Sequence, residues 1–289
     1  MPTKRGGLPI MNDVVRLEAR IASLKELRDL FTAMQALAAS RVQAAHTALL
    51  SAKAYARAIE RAISDAAALQ TPGPATQDDG GPASPVLIVF CSEHGFAGAF
   101  NRILLERARL VRVPGEQVVI VGSRGASMAQ EYDLTSAWNS PMATHVDGIL
   151  ESGRRLAARL EASESIRVIH GSYQTGARFE AQLRQILPLP LERLLRPPDR
   201  AAPLHQLPPP RLLQQLFEEF LLAELVLALA ESFASENAAR LQIMQSASHN
   251  IAGKLDELSR RTLRSRQEAI TTELLEVVIG GEAVQRTGA

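Results

Sequence analysis

The 289-residue sequence predicts an α/β protein in which a long helix at each end of the chain flanks a compact central segment. At ~1.5 Å rise per residue, the two helical patterns, over about 13–69 and 211–284, would measure ~85 Å and ~110 Å. Globular helices usually run ~8–20 residues, so this length indicates a coiled coil, a membrane span or a helical repeat. The two ends must pack together if their apolar stripes are to be buried.

The first helical pattern carries an apolar residue at every third or fourth position. The stripe consists of Leu17, Ile21, Leu24, Leu27, Phe31, Met34 and Ala38. This spacing predicts a coiled-coil-like seam. Residues 33–68 are rich in Ala, without Gly or Pro, so another helix can approach closely. A Pro- and Gly-containing stretch then ends the helical pattern. We therefore predict a helix over residues 1–70 and a linker over 71–85.

The central segment, residues 86–190, predicts an α/β domain. The predicted strands cover residues 86–90, 117–121, 166–173 and 178–187, and the predicted helices cover about 99–111, 123–131 and 145–162. The run Val86–Phe90 is apolar throughout, as is typical of a strand buried on both faces. Because strands alternate with helices, the sheet should be mainly parallel, and a tight turn at 174–176 predicts a hairpin for the last pair.

The remainder of the chain predicts a second linker and a second long helix. Residues 191–210 are rich in Pro, which is typical of a linker. Residues 211–289 continue the apolar stripe with Leu241, Met244, Ile251, Leu255 and Leu258. Two adjacent glycines at 280 and 281 predict that this helix ends or frays there.

Composition narrows the class of protein. The net charge of +1 gives no overall basic field for nucleic acid. The single cysteine, Cys91, excludes an intramolecular disulfide and fits a reducing compartment. Residues 1–12 lack the apolar stretch of a signal peptide. The longest apolar run, 220–230, contains Glu224 and is too short to span a bilayer, so we expect a soluble protein that could still dock onto a membrane complex.

The central segment contains one turn that could carry chemistry. Residues 92–98 (Ser-Glu-His-Gly-Phe-Ala-Gly) follow a predicted strand and precede a predicted helix, where phosphate-binding loops lie. The turn matches neither a dinucleotide fingerprint nor a P-loop, which favours a structural turn. Cys91, Ser92 and His94 are too close in sequence to form a nucleophile and base in the usual geometry. The six histidines have no metal-ligand spacing. From these observations together we predict no catalytic, cofactor-binding or metal-binding residue.

Two features of the C-terminal pattern indicate contact with other proteins. Arg260, Arg261, Arg264 and Arg266 form a basic cluster without the aromatic residues that stack on bases, which favours cations facing a partner's carboxylates over nucleic acid or a merely solvated face. The apolar tip over 277–279 would be a liability in water. A sleeve of other subunits would bury it, and packing on the chain's own fold is the alternative.

Three stretches carry a resemblance to a known family. They are residues 20–25 with 32–39, residues 92–101 (Ser-Glu-His-Gly-Phe-Ala-Gly-Ala-Phe-Asn), and residues 235–240 (Ser-Glu-Asn-Ala-Ala-Arg) with 266–278. On these stretches, and on the order long helix, α/β domain, long helix, the chain resembles the gamma subunits of F-type ATP synthases, the central rotor stalk.

The resemblance implies a fold and a set of partners. The terminal helices would form a long antiparallel two-helix coiled coil inside a hexamer of alternating alpha and beta subunits. A Rossmann-like α/β domain would stand on the membrane c-ring beside an epsilon subunit, peripheral to the cytoplasmic face of a bacterial plasma membrane. The chain would couple ion flow to ATP synthesis or hydrolysis mechanically, as a non-catalytic subunit without a cofactor and without a nucleic-acid partner.

The resemblance also implies subunit contacts at single positions. Polar contacts to the alpha and beta subunits are implied at Arg266, Gln267, Thr271, Glu273 and Glu276. Further contacts are implied at Arg240 on the same helix and at Met34 on the opposing helix, and Val277, Val278 and Ile279 would lie in an apolar bearing.

The sequence departs from the family pattern in two places. His94 and Glu93 stand where the family usually has Arg and Asp, and residues 203–208 replace an acidic, aromatic segment. This divergence suggests an alternative bacterial form of the enzyme, with sodium as a candidate driving ion. Two other classes stay open: a coiled-coil scaffold that self-associates, and a nucleotide-binding module on residues 86–190.

Overall fold

The computed structural model describes residues 8–69, 85–160, 163–174, 179–189 and 204–287. Most of the two predicted linkers and of the predicted turn at 174–176 lie outside these residues. The helices are α1 (Leu8–Ala67), α2 (Phe100–Val111), α3 (Ser123–Met128), α4 (Gly148–Leu160) and α5 (Pro209–Thr287). The strands are β1 (Val86–Phe90), β2 (Gln117–Val121), β3 (Ser136–Ser140), β4 (Ile166–Tyr173) and β5 (Phe179–Leu187).

The described chain divides into two compact units, and the division falls inside both long helices. The terminal unit comprises residues up to Gln35 and from Met244 onward, and the sheet unit comprises Ala36–Ile243. Among the described residues, no helix combines the length and the apolar character needed to cross a membrane.

In the terminal unit, α1 and α5 run antiparallel. Arg266 of α5 forms an ion pair with Glu18 of α1, and Arg20 shares a groove with Leu258, so low numbers on one helix meet high numbers on the other. The buried or half-buried positions on α5 include a series at spacings of three and four: Met244, Ser248, Ile251, Leu255, Leu258, Thr262, Ser265, Ala269 and Thr272. This spacing is that of a two-helix coiled coil.

One residue of the predicted α1 stripe lies outside the seam. Leu27 is exposed, whereas the next residue, Arg28, is half-buried. The seam on α1 steps from Leu24 to Arg28 to Phe31, a four-then-three spacing, instead of three-then-four. Both spacings keep a side chain on one helix face, so an apolar residue at either position could satisfy the pattern.

The sheet unit contains a five-stranded sheet in the order β3-β2-β1-β4-β5. The first four strands are parallel, and β5 pairs antiparallel with β4, as the sequence predicts. Alternate residues of β1 enter two cores: Val86, Ile88 and Phe90 pack on one face, and Leu87 and Val89 on the other. The first face is covered by α1, α4 and α5, and the second by α2 and the segment around Ala129.

The sequence-based prediction has no strand at residues 136–140, where the structure has β3, so the prediction is wrong for this segment. Residues 136–140 (Ser-Ala-Trp-Asn-Ser) form no apolar run, because the strand lies at the sheet edge with alternating half-buried and exposed residues. Trp138 packs against the first core, and the guanidinium carbon of Arg159 on α4 lies 4.2 Å from the centre of its ring. A cation over an aromatic face contributes about 0.5–1 kcal/mol at exposed sites.

The predicted end of the last helix at Gly280 and Gly281 is also wrong, because α5 continues to Thr287. A glycine inside a helix costs only about 1 kcal/mol relative to alanine, which disfavours the helix without breaking it.

Candidate subunit interface

The C-terminal part of α5 carries an exposed apolar surface. The exposed fractions of Leu263, Ile270, Leu274, Leu275, Val277, Val278 and Ile279 lie between 57% and 68%. The predicted tip, Val277 to Ile279, is therefore not buried within the chain. We call this set the α5 apolar surface. The continuation of large apolar residues beyond the seam positions is the signal that could have identified Leu263, Leu274 and Leu275 from the sequence.

The predicted polar contact positions lie beside this surface. Arg266, Gln267, Thr271 and Glu273 are exposed, and Glu276 lies in the helix with its side chain outside the described residues. The Thr271 hydroxyl donates to the Gln267 carbonyl at 2.8 Å, one turn back. The exposed positions are therefore available to a partner, and their roles as contacts stay a prediction.

Met34 and Arg240 have different surroundings. Met34 is half-buried on α1 in the terminal unit. Arg240 is buried in the sheet unit, where its Nη2 donates to Glu236 Oε1 at 2.7 Å and to the Gly95 carbonyl at 3.2 Å. A further bond runs from Nη1 to Asn237 Oδ1 at 3.3 Å. The contacts of Arg240 in this chain are thus internal, and a partner contact there stays a prediction.

Three of the four arginines of the basic cluster line a mixed-charge groove of about 800 Å³ in the terminal unit. Arg260, Arg261 and Arg264 alternate there with the carboxylates of Asp13, Asp256, Glu257 and Glu268. Glu257 bonds to Lys254 at 2.7 Å, and this bond lowers the pKa of the Glu257 carboxyl. Such alternation gives no continuous positive track for a phosphate backbone, which weighs against nucleic acid.

Glu93 organises the turn at residues 92–98. Its carboxylate accepts hydrogen bonds from Ser123 Oγ at 2.6 Å, from the Ser123 amide at 3.1 Å and from the Met142 amide at 2.8 Å. Partial burial raises the pKa of Glu93, but these bonds outweigh it and leave the pKa below its usual value. Amides at the carboxyl ends of β2 and β3, where a phosphate would bind in a parallel sheet, thus donate to the chain's own carboxylate.

The start of the same turn is also committed to internal bonds. The Ser92 amide donates to Asn101 Oδ1 at 2.9 Å, and Asn101 Nδ2 donates to Ser92 Oγ at 2.8 Å. Cys91 is buried, and burial raises the pKa of its thiol, with the Glu236 charge adding to the effect. A buried neutral thiol is a poor nucleophile. These contacts support the reading of residues 92–98 as a structural turn.

No group of three or more His, Cys, Asp or Glu side chains within the described ranges could hold a metal ion. His170 is the one histidine that the structure buries completely. It belongs to an ionic cluster around Glu231 that sequence reasoning missed, because its members come from four distant elements.

Known proteins similar to this chain agree on one family. A family model described as ATP synthase matches residues 14–284. The ATP synthase gamma chain of Frankia casuarinae is 31% identical, over 92% of this chain and 95% of the relative, and that of Paracoccus denitrificans is 31% identical, over 96% and 100%.

Solved structures show the same fold at lower sequence identity. A chain of the Euglena gracilis mitochondrial ATP synthase rotor is 12% identical and superimposes with a TM-score of 0.65, over 90% of this chain and 99% of that one. A chain from the OSCP/F1/c-ring structure of the same enzyme gives 0.66 at 13% identity, over 96% of both chains. The matches in sequence and in fold cover the long helices and the sheet alike. The chain belongs to the ATP synthase gamma chain family.

Proposed function

We propose that this chain is the central rotor shaft of an F-type ATP synthase. It would couple transmembrane ion flow mechanically to ATP synthesis or hydrolysis on alpha and beta subunits. Family membership supports this function, and the α5 apolar surface is the observation that carries it.

The α5 apolar surface fits an enclosing partner. Exposed apolar patches of this kind mark protein interaction sites. Leu274, Leu275 and the tip 277–279 all expose more than half of their surface. At 3.6 residues per turn these five positions cover an arc of about 200° around the helix. A single helix docked on one side would cover less than this arc, whereas a ring of alpha and beta subunits would cover all of it.

The polar side chains of this part of α5 would provide the contacts that vary during rotation. Arg266, Gln267, Thr271, Glu273 and Glu276 would meet polar groups of alpha and beta subunits, and Met34 would meet them from the opposing helix. Arg240 would contact a partner subunit from the part of α5 that belongs to the sheet unit. A shaft that makes different contacts with successive beta subunits shifts each of them between states, as any ligand with differential affinity does.

The remaining contacts and the site of action follow from the same proposal. The sheet unit would bind an epsilon subunit and the membrane c-ring, placing the chain peripherally at the cytoplasmic face of a bacterial plasma membrane. Each unit charge that crosses ~100 mV supplies about 2.3 kcal/mol, so several steps must be combined for one ATP. The chain itself would be non-catalytic, and ATP chemistry would belong to its partners.

The first experiment is co-expression with alpha and beta subunits of the same organism, followed by purification on a tag carried by this chain. We expect one copy of this chain in a complex that contains both subunits. Recovery of a homodimer free of both would contradict the rotor proposal and favour a coiled-coil scaffold.

The second experiment deletes the residues after Leu258. The sheet unit should stay folded, because its cores contain no residue of the deleted segment, and thermal unfolding followed by circular dichroism would check this. Ion-driven ATP synthesis by the assembled enzyme should be weakened or lost. Unchanged synthesis by the truncated chain would contradict the proposal.

A further inference from the structure

A buried ionic cluster joins helix α5 to the sheet and to α1 within the sheet unit. Glu231 on α5 lies 3.1 Å from Arg184 Nη2 on β5, 3.2 Å from His170 Nδ1 on β4 and 3.5 Å from Lys53 Nζ on α1. Glu224, two turns earlier on α5, lies 3.4 Å from Arg184 Nη1. The two ends of one guanidinium therefore bridge two carboxylates of the same helix. We call these five residues the Glu231 cluster.

The Glu231 cluster is balanced in charge and mostly buried: Arg184 is 17% exposed, and Lys53 lies at its edge, 45% exposed. The side chains of His170, Glu224 and Glu231 are 0%, 3% and 7% exposed. Two carboxylates face two cations, Arg184 and Lys53. Burial, with the nearby charge of Arg184, lowers the pKa of His170 to about 3, so its ring is neutral. His170 Nδ1 faces two acceptors, Glu231 and the Gly171 carbonyl, and therefore carries the ring proton.

A cluster of this kind specifies position more than it adds stability. Apolar burial is non-directional, and buried ion pairs contribute little net stability relative to apolar groups of the same size. Around the cluster, α5 packs through small residues such as Ala223 and Ala228 and through large ones such as Phe220 and Phe233. A shift of the helix along or around its axis would exchange one apolar contact for another. The same shift would leave buried charges without partners, which is strongly unfavourable.

Two serines on the next turn of α5 add position-specific bonds. Ser232 Oγ donates to the Phe90 carbonyl at 2.8 Å. Ser235 Oγ shares its one proton between the Gly171 carbonyl at 2.9 Å and the Glu231 carbonyl of its own helix at 2.8 Å. Gly171 is required there, because a Cβ atom on it would lie 2.7 Å from Ser235 Cβ. Polar contacts of the α5 residues between Glu224 and Ser235 therefore fix the position of the helix on the sheet.

We propose that the Glu231 cluster is a register lock, in which Arg184 is the positioning residue that keeps α5 from sliding or turning on the sheet. This inference rests on the proposed function for its consequence: torque applied to the sheet unit reaches α5 only while the helix is held in register.

The test uses a variant that removes the three most buried charges and keeps the volume, Arg184→Met with Glu224→Gln and Glu231→Gln. Lys53 keeps its charge, because its side chain is 45% exposed and can be solvated. Its matched control is Arg167→Met with Glu116→Gln. That control removes another buried ion pair of the sheet unit, 2.6 Å long, which joins β4 to the segment before β2. Arg184→Lys is the milder variant, because a lysine keeps the charge but lacks the fork that spans two carboxylates.

The first measurement follows the position of α5 in the full-length chain alone. Spin labels at the exposed residues Gln215 on α5 and Gln185 on β5, in a Cys91→Ala background, give a distance distribution by pulsed electron resonance. We expect the distribution to broaden or split in the Arg184 triple variant, to broaden less in Arg184→Lys, and to stay narrow in the control. If the Arg184 triple variant folds and its distance distribution is unchanged, the register lock is refuted.

The second measurement uses the assembled ATP synthase. Ions pumped per ATP hydrolysed should fall in the triple variant, because hydrolysis would continue while the helix slips on the sheet. The ratio should not change in the control. An equal fall in both variants would show general loosening and overturn the lock. Failure of the wild-type chain to assemble would instead refute the proposed function, and the distance measurement would still decide on the lock.

Discussion

The Arg240 guanidinium donates to the Glu236 carboxylate at 2.7 Å, one helical turn away on α5, and both side chains are buried. The same guanidinium donates to the carbonyls of His94 and Gly95, so it attaches the turn at residues 92–98 to α5. Burial raises the pKa of Glu236, and the charge of Arg240 opposes that rise. The arginine therefore compensates a carboxylate that burial alone would make costly.

Arg240→Ala should destabilise the chain by about 3–5 kcal/mol, because the change leaves a buried charge and two carbonyls without their partner. Urea unfolding followed by circular dichroism would measure the loss. The double variant Arg240→Met with Glu236→Gln should lose much less, since it removes both charges. Equal losses in the two variants would show that the ion pair does not determine the cost.

His170 should make stability depend on pH. Its pKa is about 3 in the folded chain against an ordinary 6.5, so only the unfolded chain takes up this proton at mildly acidic pH. The neutral His170 makes its full contribution to the free energy of unfolding above pH ~6.5. That contribution falls by up to ~1.4 kcal/mol per pH unit as the pH drops toward 3. The stability advantage of wild type over His170→Gln should therefore shrink on acidification, in urea titrations at a series of pH values. The exposed His249→Gln is the control, and a constant difference for His170→Gln would refute the prediction.

Gly122→Ala should destabilise the sheet unit by more than about 2 kcal/mol. Gly122 has a φ of +113°, and a Cβ atom on it would lie 2.5 Å from the Cys91 carbonyl oxygen, a backbone atom that cannot move aside easily. Gly115→Ala is the matched control, because its φ is +82° but the space around it is open. That variant should lose only the conformational cost of about 1 kcal/mol. Thermal unfolding would rank the two, and similar losses would contradict the steric argument.

Arg266→Ala should change the free energy of unfolding by no more than about 1 kcal/mol, since its ion pair with Glu18 is exposed. A weakened association with alpha and beta subunits, measured by co-purification yield, would instead indicate a partner contact. Glu18→Ala breaks the same ion pair and leaves Arg266 free to meet a partner. If both variants weaken assembly equally, Arg266 acts through Glu18 and not through direct contact.

Nucleotide titration of the full-length chain should show no saturable binding by calorimetry. The Glu93 carboxylate occupies the Ser123 and Met142 amides that a phosphate would need. Glu93→Gln removes the negative charge and is the informative variant. Tight binding of ATP to the wild-type chain would revive the nucleotide-binding module on residues 86–190.

Three of the five strands in the described part of the chain could be predicted to the residue. β1, β2 and β4 have the predicted bounds, because turn-forming residues flank runs that are buried on one or both faces. The antiparallel pairing of the long helices required the family resemblance, since an apolar stripe specifies burial but not direction. The apolar tip could be predicted from three consecutive aliphatic residues, 277–279.

Other features depend on contacts between residues far apart in sequence. β3 is a strand because the edge of β2 is available for pairing, and its own sequence has no apolar run. The Glu231 cluster joins positions 53, 170, 184, 224 and 231, whose charges look like ordinary surface residues in the sequence. Arg240 matches a family position, but its internal bonds depend on where the turn at 92–98 lies in the fold.

Trp138 is the single tryptophan of the chain, and its indole lies on an edge strand under the guanidinium of Arg159. Its intrinsic fluorescence therefore reports one defined place without any label. An additional chain that docked along β3 would change the solvation of the indole or displace the arginine, and either event would shift the emission. The protein thus carries a built-in optical probe for events at this border of its sheet.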